Sequence, residues 1–424
     1  MSIAERLYYK DSFLRCFTAV VTDVRELASS QGESVWQLAF DRTAFYPDSG
    51  GQPCDSGLIR ATSPGGVTLE IPVESVEEDE HGQVWHVTRK PLSTGTHIEG
   101  ELAWERRFDH MQQHTGQHLL SAVFLRELNA FTVSFHLGEK SSTIDLTGTP
   151  LAQHSLERIE RVANELIAED RAVSVRCVTR DEAESMLANG ALRKLPDRSG
   201  DLRLIEIAGI EDNACGGTHV RSTGQIGGML LRGAEKVSRG VRVEFVCGLR
   251  AIQTARADAA ILAKATASLS VGTPDIPAAI ERLKTEVKNG AKERMDLREH
   301  LADYHAARLA VEVPITEGLR LVDRVWKDRD AGYVKLLATR LTTAAPSSVA
   351  IFCSESGGTV SLYFARSLDL SFDCGRILKD TLSQLGLRGG GSADLAQGEV
   401  PSAQAPALRA SLADAVHAAI ARPS

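Results

Sequence analysis

Four side chains in two short runs of this 424-residue chain could hold a metal ion. His114 and His118 lie four residues apart in a segment of helical periodicity, so their rings project from one face, about one turn apart. Cys215 and His219 repeat that spacing around a Gly-Gly pair that lets the backbone bend tightly. Thiolate and imidazole ligands together select zinc over magnesium or calcium. The sequence therefore predicts one zinc ion per chain, bound by these four residues.

The ligand set and its role leave alternatives open. Each half-site alone is more typical of ordinary core, surface or loop residues, and His110 is a third histidine on the helix that could replace a named ligand. Four protein ligands are usual for structural zinc, whereas hydrolytic zinc keeps a position open for water. If the site is catalytic, we expect Cys215 or His219, on the glycine-rich loop, to give way so that activated water attacks an ester carbonyl.

The elements that position these residues follow from the hydrophobic pattern. Residues 1–100 alternate apolar and polar positions in short runs, which predicts a small N-terminal β-barrel. Helical spacing from Trp104, followed by strand-like runs, predicts an α+β core over 101–249. Residues 250–312 are rich in Ala, Glu, Lys and Arg and predict a helical or coiled-coil connector. A C-terminal α/β domain over 313–424 completes a predicted α+β multi-domain fold.

Composition narrows the classes of function. Seven scattered cysteines do not form the dense, even pattern of a secreted disulfide scaffold. No window approaches the roughly 20 apolar residues of a membrane span, so we interpret the chain as cytoplasmic, without a membrane partner. The formal net charge of −8 argues against non-specific coating of nucleic acid. RNA binding would therefore depend on a local basic patch.

Two segments are candidates for RNA contact. Arg239 and Arg242 lie in the locally basic end of the α+β segment and could position phosphates, although a solvated strand face explains them as well. The run Gly389, Gly390 and Gly391 predicts a turn whose backbone a phosphate or ribose could approach closely, with a plain loop as the alternative.

The motifs around the predicted ligands resemble those of the editing domain of alanyl-tRNA synthetases. The runs are HTGQHLL at 114–120 and DNACGGTHV at 212–220, and the same pair marks the free-standing AlaX alanyl-tRNA editing proteins. FYPDSGGQP at 45–53 and GVRVE at 240–244 agree with this likeness. GGGSADLAQG at 389–398 resembles the C-terminal DHH-associated domain of the synthetase. The chain is thus most similar to the larger AlaX class, which carries that C-terminal extension.

This resemblance implies a trans-editing deacylase. Its substrate would be alanine tRNA wrongly charged with serine, or with glycine, and the DHH-associated segment would bind the tRNA. Because the first hundred residues already match the barrel that precedes editing, we expect no aminoacylation domain and no aminoacylation. A homodimer through the helical connector or the C-terminal domain stays open.

The resemblance also implies which residues read the amino acid. An apolar pocket scarcely rejects an added hydroxyl, so the site must hydrogen-bond the serine hydroxyl. The family uses its glycine-rich barrel motif, here Gly50, Gly51 and Gln52, and a polar residue on the strand after the histidine helix. Thr132 and Ser134 lie there, and Ser134 is the preferred candidate. Synthetases often carry a glutamine just after that serine, where this chain has phenylalanine.

Other readings compete with this one. The chain could be a non-catalytic RNA-binding protein with structural zinc. It could also edit another mischarged tRNA, because threonyl-tRNA synthetases share the histidine-pair and cysteine-histidine arrangement. Asp212 is the one carboxylate nominated for catalytic support, and shaping of the loop is its alternative role.

Overall fold

The computed structural model describes residues 3–27, 34–63, 65–190, 192, 195, 200–238 and 240–421. The chain forms two compact units, Met1–Lys264 and Ala265–Ser424. Both units combine helices with β-sheets, which confirms the predicted mixed, multi-domain class. The finer division at residues 100, 249 and 312 stays a prediction.

The first part of the first unit is a seven-stranded antiparallel sheet in the order β6-β5-β9-β2-β3-β8-β7. Two short strands of the same region, β1 and β4, form a separate parallel pair. The strands are β1 (Glu5–Arg6), β2 (Cys16–Leu27), β3 (Val35–Phe40), β4 (Arg42–Thr43), β5 (Gly57–Thr62), β6 (Thr68–Val73), β7 (Ser75–Glu78), β8 (Val84–Thr88) and β9 (His97–Leu102).

One face of the sheet packs into a hydrophobic core of its own. Strand β2 is shared along its length: its first half pairs with β9 and its second half with β3. Alternate residues face inward, as the period of two predicts, and Phe17, Leu38, Phe40 and Ile59 are among those buried together. Closure of this sheet into a barrel stays a prediction.

The rest of the first unit packs two further antiparallel sheets with helices. The sheet orders are β10-β11-β16-β15 and β12-β13-β14. The elements are α1 (Trp104–Leu128), β10 (Thr132–Leu137), β11 (Ser142–Leu146), α2 (Gln153–Ala168), β12 (Val173–Val178), α3 (Arg180–Ala188), β13 (Leu202–Ile207), β14 (Glu211–Ala214), β15 (Met229–Val237), β16 (Gly240–Cys247) and α4 (Gly248–Leu269).

Helix α1 is the central element and carries the predicted histidine pair. Every residue from 110 to 124 is buried, so the helix is covered on all sides as a core helix is. It ends at Leu128, and the capping residue Asn129 has a left-handed φ of 51°, which is common at helix C-termini. Polar side chains on such a helix need partners within the protein, because water does not reach them.

The end of β16 fixes the register of α1. The Gln113 amide hydrogen-bonds the backbone of Cys247 in both directions, with Nε2 donating to the carbonyl at 3.0 Å and Oε1 accepting from the N–H at 2.8 Å. A Cβ on Gly116 would lie 2.4 Å from the Cys247 sulfur, so only glycine lets helix and strand approach this closely. These contacts set the direction of the neighbouring histidines.

A buried ion pair joins α1 to the seven-stranded sheet. The Arg107 side chain is fully buried against Asp55, and its Nε lies 3.1 Å from both carboxylate oxygens. Its remaining donors reach the carbonyls of Ser12 at 2.8 Å and Ala44 at 2.5 Å. Asp55 also accepts from the Tyr46 N–H at 2.6 Å. The charges are thus paired and hydrogen-bonded, which a buried pair requires.

The second unit is a sheet covered by helices on both faces. The order is β17-β18-β19-β21-β20, parallel between β17 and β18 and antiparallel elsewhere. One face packs against α5 and α6, the other against α7 and α8. The elements are α5 (Ile276–Glu312), β17 (Arg320–Lys327), α6 (Ala331–Ala344), β18 (Ser348–Ser356), β19 (Thr359–Arg366), α7 (Cys374–Gln384), β20 (Gly389–Gly391), β21 (Leu395–Pro401) and α8 (Ala405–Ile420).

The predicted glycine turn is a strand. Gly389, Gly390 and Gly391 form β20, which pairs with β21 at the edge of the sheet. A Cβ on Gly391 would lie 2.2 Å from the Leu395 carbonyl oxygen, so glycine allows the close approach of the two strands. The turn prediction was wrong. Strands are recognised in a sequence by the alternation of apolar and polar side chains, and three glycines have no side chains to alternate.

Among the helices of the described ranges, none combines the length and the apolar character that a membrane crossing needs.

Candidate metal centre

The structure brings the four predicted ligands together. The donor atoms of His114, His118, Cys215 and His219 all lie within 4.8 Å of one another. The Cys215 sulfur lies 3.4 Å from the Nε2 atoms of both His114 and His219. The three histidines are buried, whereas Cys215 keeps an intermediate exposure to solvent. Cys215 is thus the least buried residue of the four.

Gln52 of the seven-stranded sheet region orients the first histidine. Its Oε1 accepts from the Nδ1–H of His114 at 2.8 Å and from the backbone N–H of Thr218 at 3.0 Å. Its Nε2 donates to the Thr218 hydroxyl at 2.9 Å. These contacts hold the His114 proton on Nδ1 and leave Nε2 free to face the cysteine sulfur.

A tight turn delivers Gln52 to that position. Gly50 and Gly51 have φ values of 57° and 81° between the paired residues Ser49 and Gln52, the pattern of a type I′ hairpin turn. A Cβ on Gly51 would also lie 2.8 Å from the ring of Phe135 on β10. The glycines therefore let the turn enter the site, and Gln52 is fully buried.

The other two histidines have partners at their second ring nitrogens as well. His219 Nδ1 lies 3.1 Å from the Thr115 hydroxyl, which also accepts from the Val220 N–H at 3.2 Å. The Asn213 amide lies 3.1 Å from His118 Nδ1. Partners of this kind fix the orientation of metal-binding imidazoles.

A buried arginine holds the cysteine loop. Arg203 Nη1 donates to the carbonyls of Cys215 at 2.7 Å and Gly217 at 2.9 Å, and Nε donates to the Tyr9 carbonyl at 3.2 Å. The Gly217 N–H points at the Cys215 sulfur at 3.3 Å, which favours a thiolate. A Cβ on Gly217 would lie 2.1 Å from His114 Cε1, so the loop crosses the histidine ring in contact with it.

Burial governs the protonation of the cluster. It lowers the pKa of His114 and His219 well below the ordinary value, with neighbouring histidines and Arg203 adding to the effect. It raises the pKa of the Cys215 thiol, against which the Gly217 N–H and Arg203 act. The imidazoles of His114 and His219 are thus neutral, as ligands must be.

The residues fit a divalent metal. Zinc bonds of about 2.0–2.3 Å in a tetrahedron separate the donors by roughly 3.5 Å. The separations of 3.4 Å from sulfur to two imidazole nitrogens match that spacing. The histidine that could have replaced a ligand, His110, lies outside the cluster, and burial lowers its pKa to about 3.

The two candidate strand residues lie in different surroundings. The Thr132 hydroxyl donates to Ser121 on α1 at 2.8 Å, on the side of the strand that faces the helix. The Ser134 hydroxyl donates to the Asp145 carboxylate at 2.9 Å. The same carboxylate accepts two hydrogen bonds from Arg242, at 2.7 and 2.9 Å. A bulge between the two positions accounts for their opposite directions.

Asp212 points away from the metal ligands. In β14 it lies opposite Glu206 and accepts from Arg176 at 3.2 Å, whereas its neighbour Asn213 contacts His118. Side chains alternate along a strand, so Glu211 shares the Asn213 side. Glu211 is buried, and the sequence analysis did not nominate it. Its position two residues before Asn213 in a strand is the signal that could have identified it.

The candidates for RNA contact belong to both compact units of the chain. Arg242 is engaged by Asp145, and Gly389, Gly390 and Gly391 lie in the second unit. Arg239 lies outside the described residues.

Comparison with known proteins gives two family profiles and several long matches. A profile described as tRNA synthetases class II (A) matches residues 2–106, and one described as the threonyl and alanyl tRNA synthetase second additional domain matches residues 202–244. The alanyl-tRNA editing protein Aarsd1 of Bos taurus is 32% identical over 310 residues, covering 71% of this chain and 67% of the relative.

Two further relatives span nearly the whole chain. The alanyl-tRNA editing protein AlaX-L of Pyrococcus horikoshii is 29% identical over 412 residues, covering 94% of this chain and 95% of the relative. An alanine–tRNA ligase of Methanobrevibacter smithii is 30% identical over 410 residues, and the chain spans only 44% of that ligase. The solved C-Ala domain of Aquifex aeolicus alanyl-tRNA synthetase covers 24% of this chain at 20% identity with a TM-score of 0.21, too low to support an argument about fold.

Proposed function

This chain belongs to the family of alanyl-tRNA editing proteins, and from that premise we propose that it is an aminoacyl-tRNA deacylase acting in trans. Its substrate is alanine tRNA charged with serine, or with glycine, and the reaction is hydrolysis of the aminoacyl ester. The partner is tRNA(Ala), and the reaction belongs to the cytoplasm, where translation uses charged tRNA.

One observation carries the proposal: the four donors converge with imidazoles already oriented by Gln52, Thr115 and Asn213. Three imidazoles and a thiolate are the donor set that favours zinc, so we propose one zinc ion per chain. Zinc, when bound, supplies Lewis-acid activation of water and of a carbonyl group.

The residues around the donors have separate roles in this proposal. Gln52 holds the His114 ring from the side of the seven-stranded sheet, and the Gly217 N–H stabilises the Cys215 thiolate. Cys215, whose exposure is intermediate, lies on the side from which the substrate ester reaches the cluster in this proposal. Thr132, on the α1 side of β10, is better placed than Ser134 to meet an amino acid at the site.

Gly50 and Gly51 contribute shape to the site in this scheme. Their positive φ values place Gln52 inside, where both ends of its amide are occupied by Thr218 and His114. Gln52 is therefore proposed to act through His114, with amino-acid reading left to the residues of α1 and β10. Contacts of Arg242 and of Gly389–Gly391 with tRNA remain part of the proposal.

A specific observation keeps a second candidate function in view. The profile matched by residues 202–244 describes threonyl as well as alanyl tRNA synthetases. Serine attached to threonine tRNA is then the competing substrate. Both candidate substrates carry serine, so the same contact with the serine hydroxyl serves either one. Only the tRNA body distinguishes the two candidates.

The deciding experiment follows serine release by the purified zinc-loaded chain. Serine on alanine tRNA should be hydrolysed, alanine on the same tRNA should be spared, and serine on threonine tRNA should react far more slowly. Cys215→Ala should lose zinc and activity together, whereas Cys16→Ala, at an exposed cysteine of β2, should keep both. Serine release no faster than in the metal-stripped protein would reject the enzyme and leave zinc a structural role.

A further inference from the structure

One polar atom beside the metal ligands lacks a hydrogen-bonding partner in the described part of the chain. It is Oε1 of Gln117, a residue whose exposed fraction is 3%. The same amide uses its other end: Nε2 donates to the Ser121 hydroxyl oxygen at 2.8 Å. Because buried polar groups are nearly always paired, an acceptor left in this state indicates a ligand.

The position of Gln117 on α1 places it beside the cluster. Gln117 follows His114 by three residues and Ser121 follows His118 by three, so each is a neighbour of a ligand on the helix surface. Around the helix axis, Gln117 and Ser121 lie roughly 60° and 20° from His114. All four side chains therefore share one face of α1.

Strand β10 contributes a further contact to the Gln117 and Ser121 side chains. The Thr132 hydroxyl donates to the Ser121 oxygen at 2.8 Å, so that oxygen receives hydrogen bonds from both Thr132 and Gln117. The Ser121 O–H is the donor left in this group, and it makes no hydrogen bond to the Gln117 oxygen. The atom that can still take a hydrogen bond is an acceptor, so its ligand must be a donor.

We infer that Gln117 Oε1 accepts the side-chain hydroxyl of the serine to be removed and is a specificity-determining residue of the site. This inference rests on the proposed deacylase function. Serine supplies the missing donor through its hydroxyl. Alanine and glycine have none, so either one leaves the oxygen buried and unpaired.

The inference orders the substrates. The oxygen is already unpaired without substrate, so pairing it with the serine hydroxyl should raise the rate by about 10- to 100-fold over both alanine and glycine. The preference comes from a positive contact with the hydroxyl, because an apolar pocket would not distinguish the three in this direction. This narrows the proposed substrates: serine-charged alanine tRNA is the preferred one, and glycine-charged alanine tRNA is hydrolysed more slowly.

The test replaces the amide with an apolar side chain of similar length. Gln117→Met should lower kcat/KM for serine-charged alanine tRNA by about 10- to 100-fold and leave kcat/KM for the alanine-charged tRNA unchanged, so the preference collapses. Zinc content should not change. Gln83→Met, at a buried glutamine beside β8, is the matched control and should retain the preference.

A second readout requires neither zinc nor catalysis. Adenosine carrying serine or alanine through a non-hydrolysable 3′-amide should bind metal-free wild-type protein with a serine preference of about tenfold, and Gln117→Met should bind both equally. An unchanged preference in Gln117→Met, or equal loss of both substrates, would overturn the inference. A wild-type protein that binds the serine amide preferentially yet releases no serine would instead reject the deacylase and retain the role of Gln117.

Discussion

The two halves of the metal cluster are built in different ways. His114 and His118 project from α1, a helix whose residues 110–124 are all buried and whose register is set by Gln113 on the end of β16. Cys215 lies at the end of β14 in a loop with little regular structure. That loop is held by the buried guanidinium of Arg203.

This difference shows which forces make each half precise. The helix half depends on packing against the rest of the first unit, including the ion pair of Arg107 with Asp55. The loop half depends on a few hydrogen bonds and on the absence of a side chain at Gly217. A substitution that weakens the helix half should therefore lower the free energy of unfolding. A substitution that distorts the loop half should lower the affinity for zinc.

The largest expected effect comes from breaking the support of the helix. Arg107→Met leaves the Asp55 carboxylate buried without its partner, which should cost about 3–5 kcal/mol of unfolding free energy. Urea unfolding followed by tryptophan fluorescence measures this, because three of the four tryptophans, Trp36, Trp85 and Trp104, lie in the first unit.

An exposed arginine of the same sheet is the control. Arg60 pairs with Glu70 at 2.8 Å and Glu101 at 2.6 Å, and its side chain is 36% exposed. Arg60→Met should lower the free energy of unfolding far less than Arg107→Met, since solvent screens surface pairs. Equal costs for the two variants would show that α1 does not depend on the buried pair.

The loop half should break at one glycine and tolerate change at its neighbour. A Cβ at Gly217 would lie 2.1 Å from His114 Cε1, so Gly217→Ala should displace the ring and lower zinc affinity by about 100-fold. At Gly216 a Cβ would lie 3.5 Å from the Tyr9 hydroxyl, an ordinary contact. Gly216→Ala should change the affinity by about twofold at most, the size of ~0.5 kcal/mol.

Competition with a chromophoric chelator measures both zinc affinities. The unfolding midpoint serves as the check that each variant is folded. Loss of zinc in both variants would indicate that the loop needs flexibility at every position, and retention in both would place the loop farther from His114 than the structure has it.

The ligands could be predicted from sequence, whereas their supports could not. The spacings of four in His114-His118 and Cys215-His219 are local and carry their chemistry in the residue types. Gln52 reaches Thr218 across 166 positions and Arg203 reaches the Tyr9 carbonyl across 194, so no local spacing reports these contacts. The helical period predicted α1, but no period could predict β20, where three glycines have no side chains to alternate.

The alternation of side chains along β14 favours Glu211 over Asp212, the carboxylate nominated from the sequence. The effect expected from this pair on zinc affinity is the smallest of the predictions. Asp212 binds Arg176 on the far side of β14, whereas Glu211 shares the side of Asn213, which contacts His118. A buried negative charge on that side attracts a divalent cation. Burial raises the pKa of the Cys215 thiol, and the Glu211 charge raises it further, which places that charge within electrostatic range of the ligands.

The neighbouring pair of acids makes its own matched experiment. Glu211→Gln should lower zinc affinity by about tenfold, since residues behind the ligands are worth 10- to 100-fold, while Asp212→Asn should lie near the wild type. The two substitutions remove the same charge one residue apart, so any effect of net charge alone is equal in both. A larger loss from Asp212→Asn would mean that β14 presents its opposite side to the cluster, and the assignment of Asn213 to His118 would fail with it.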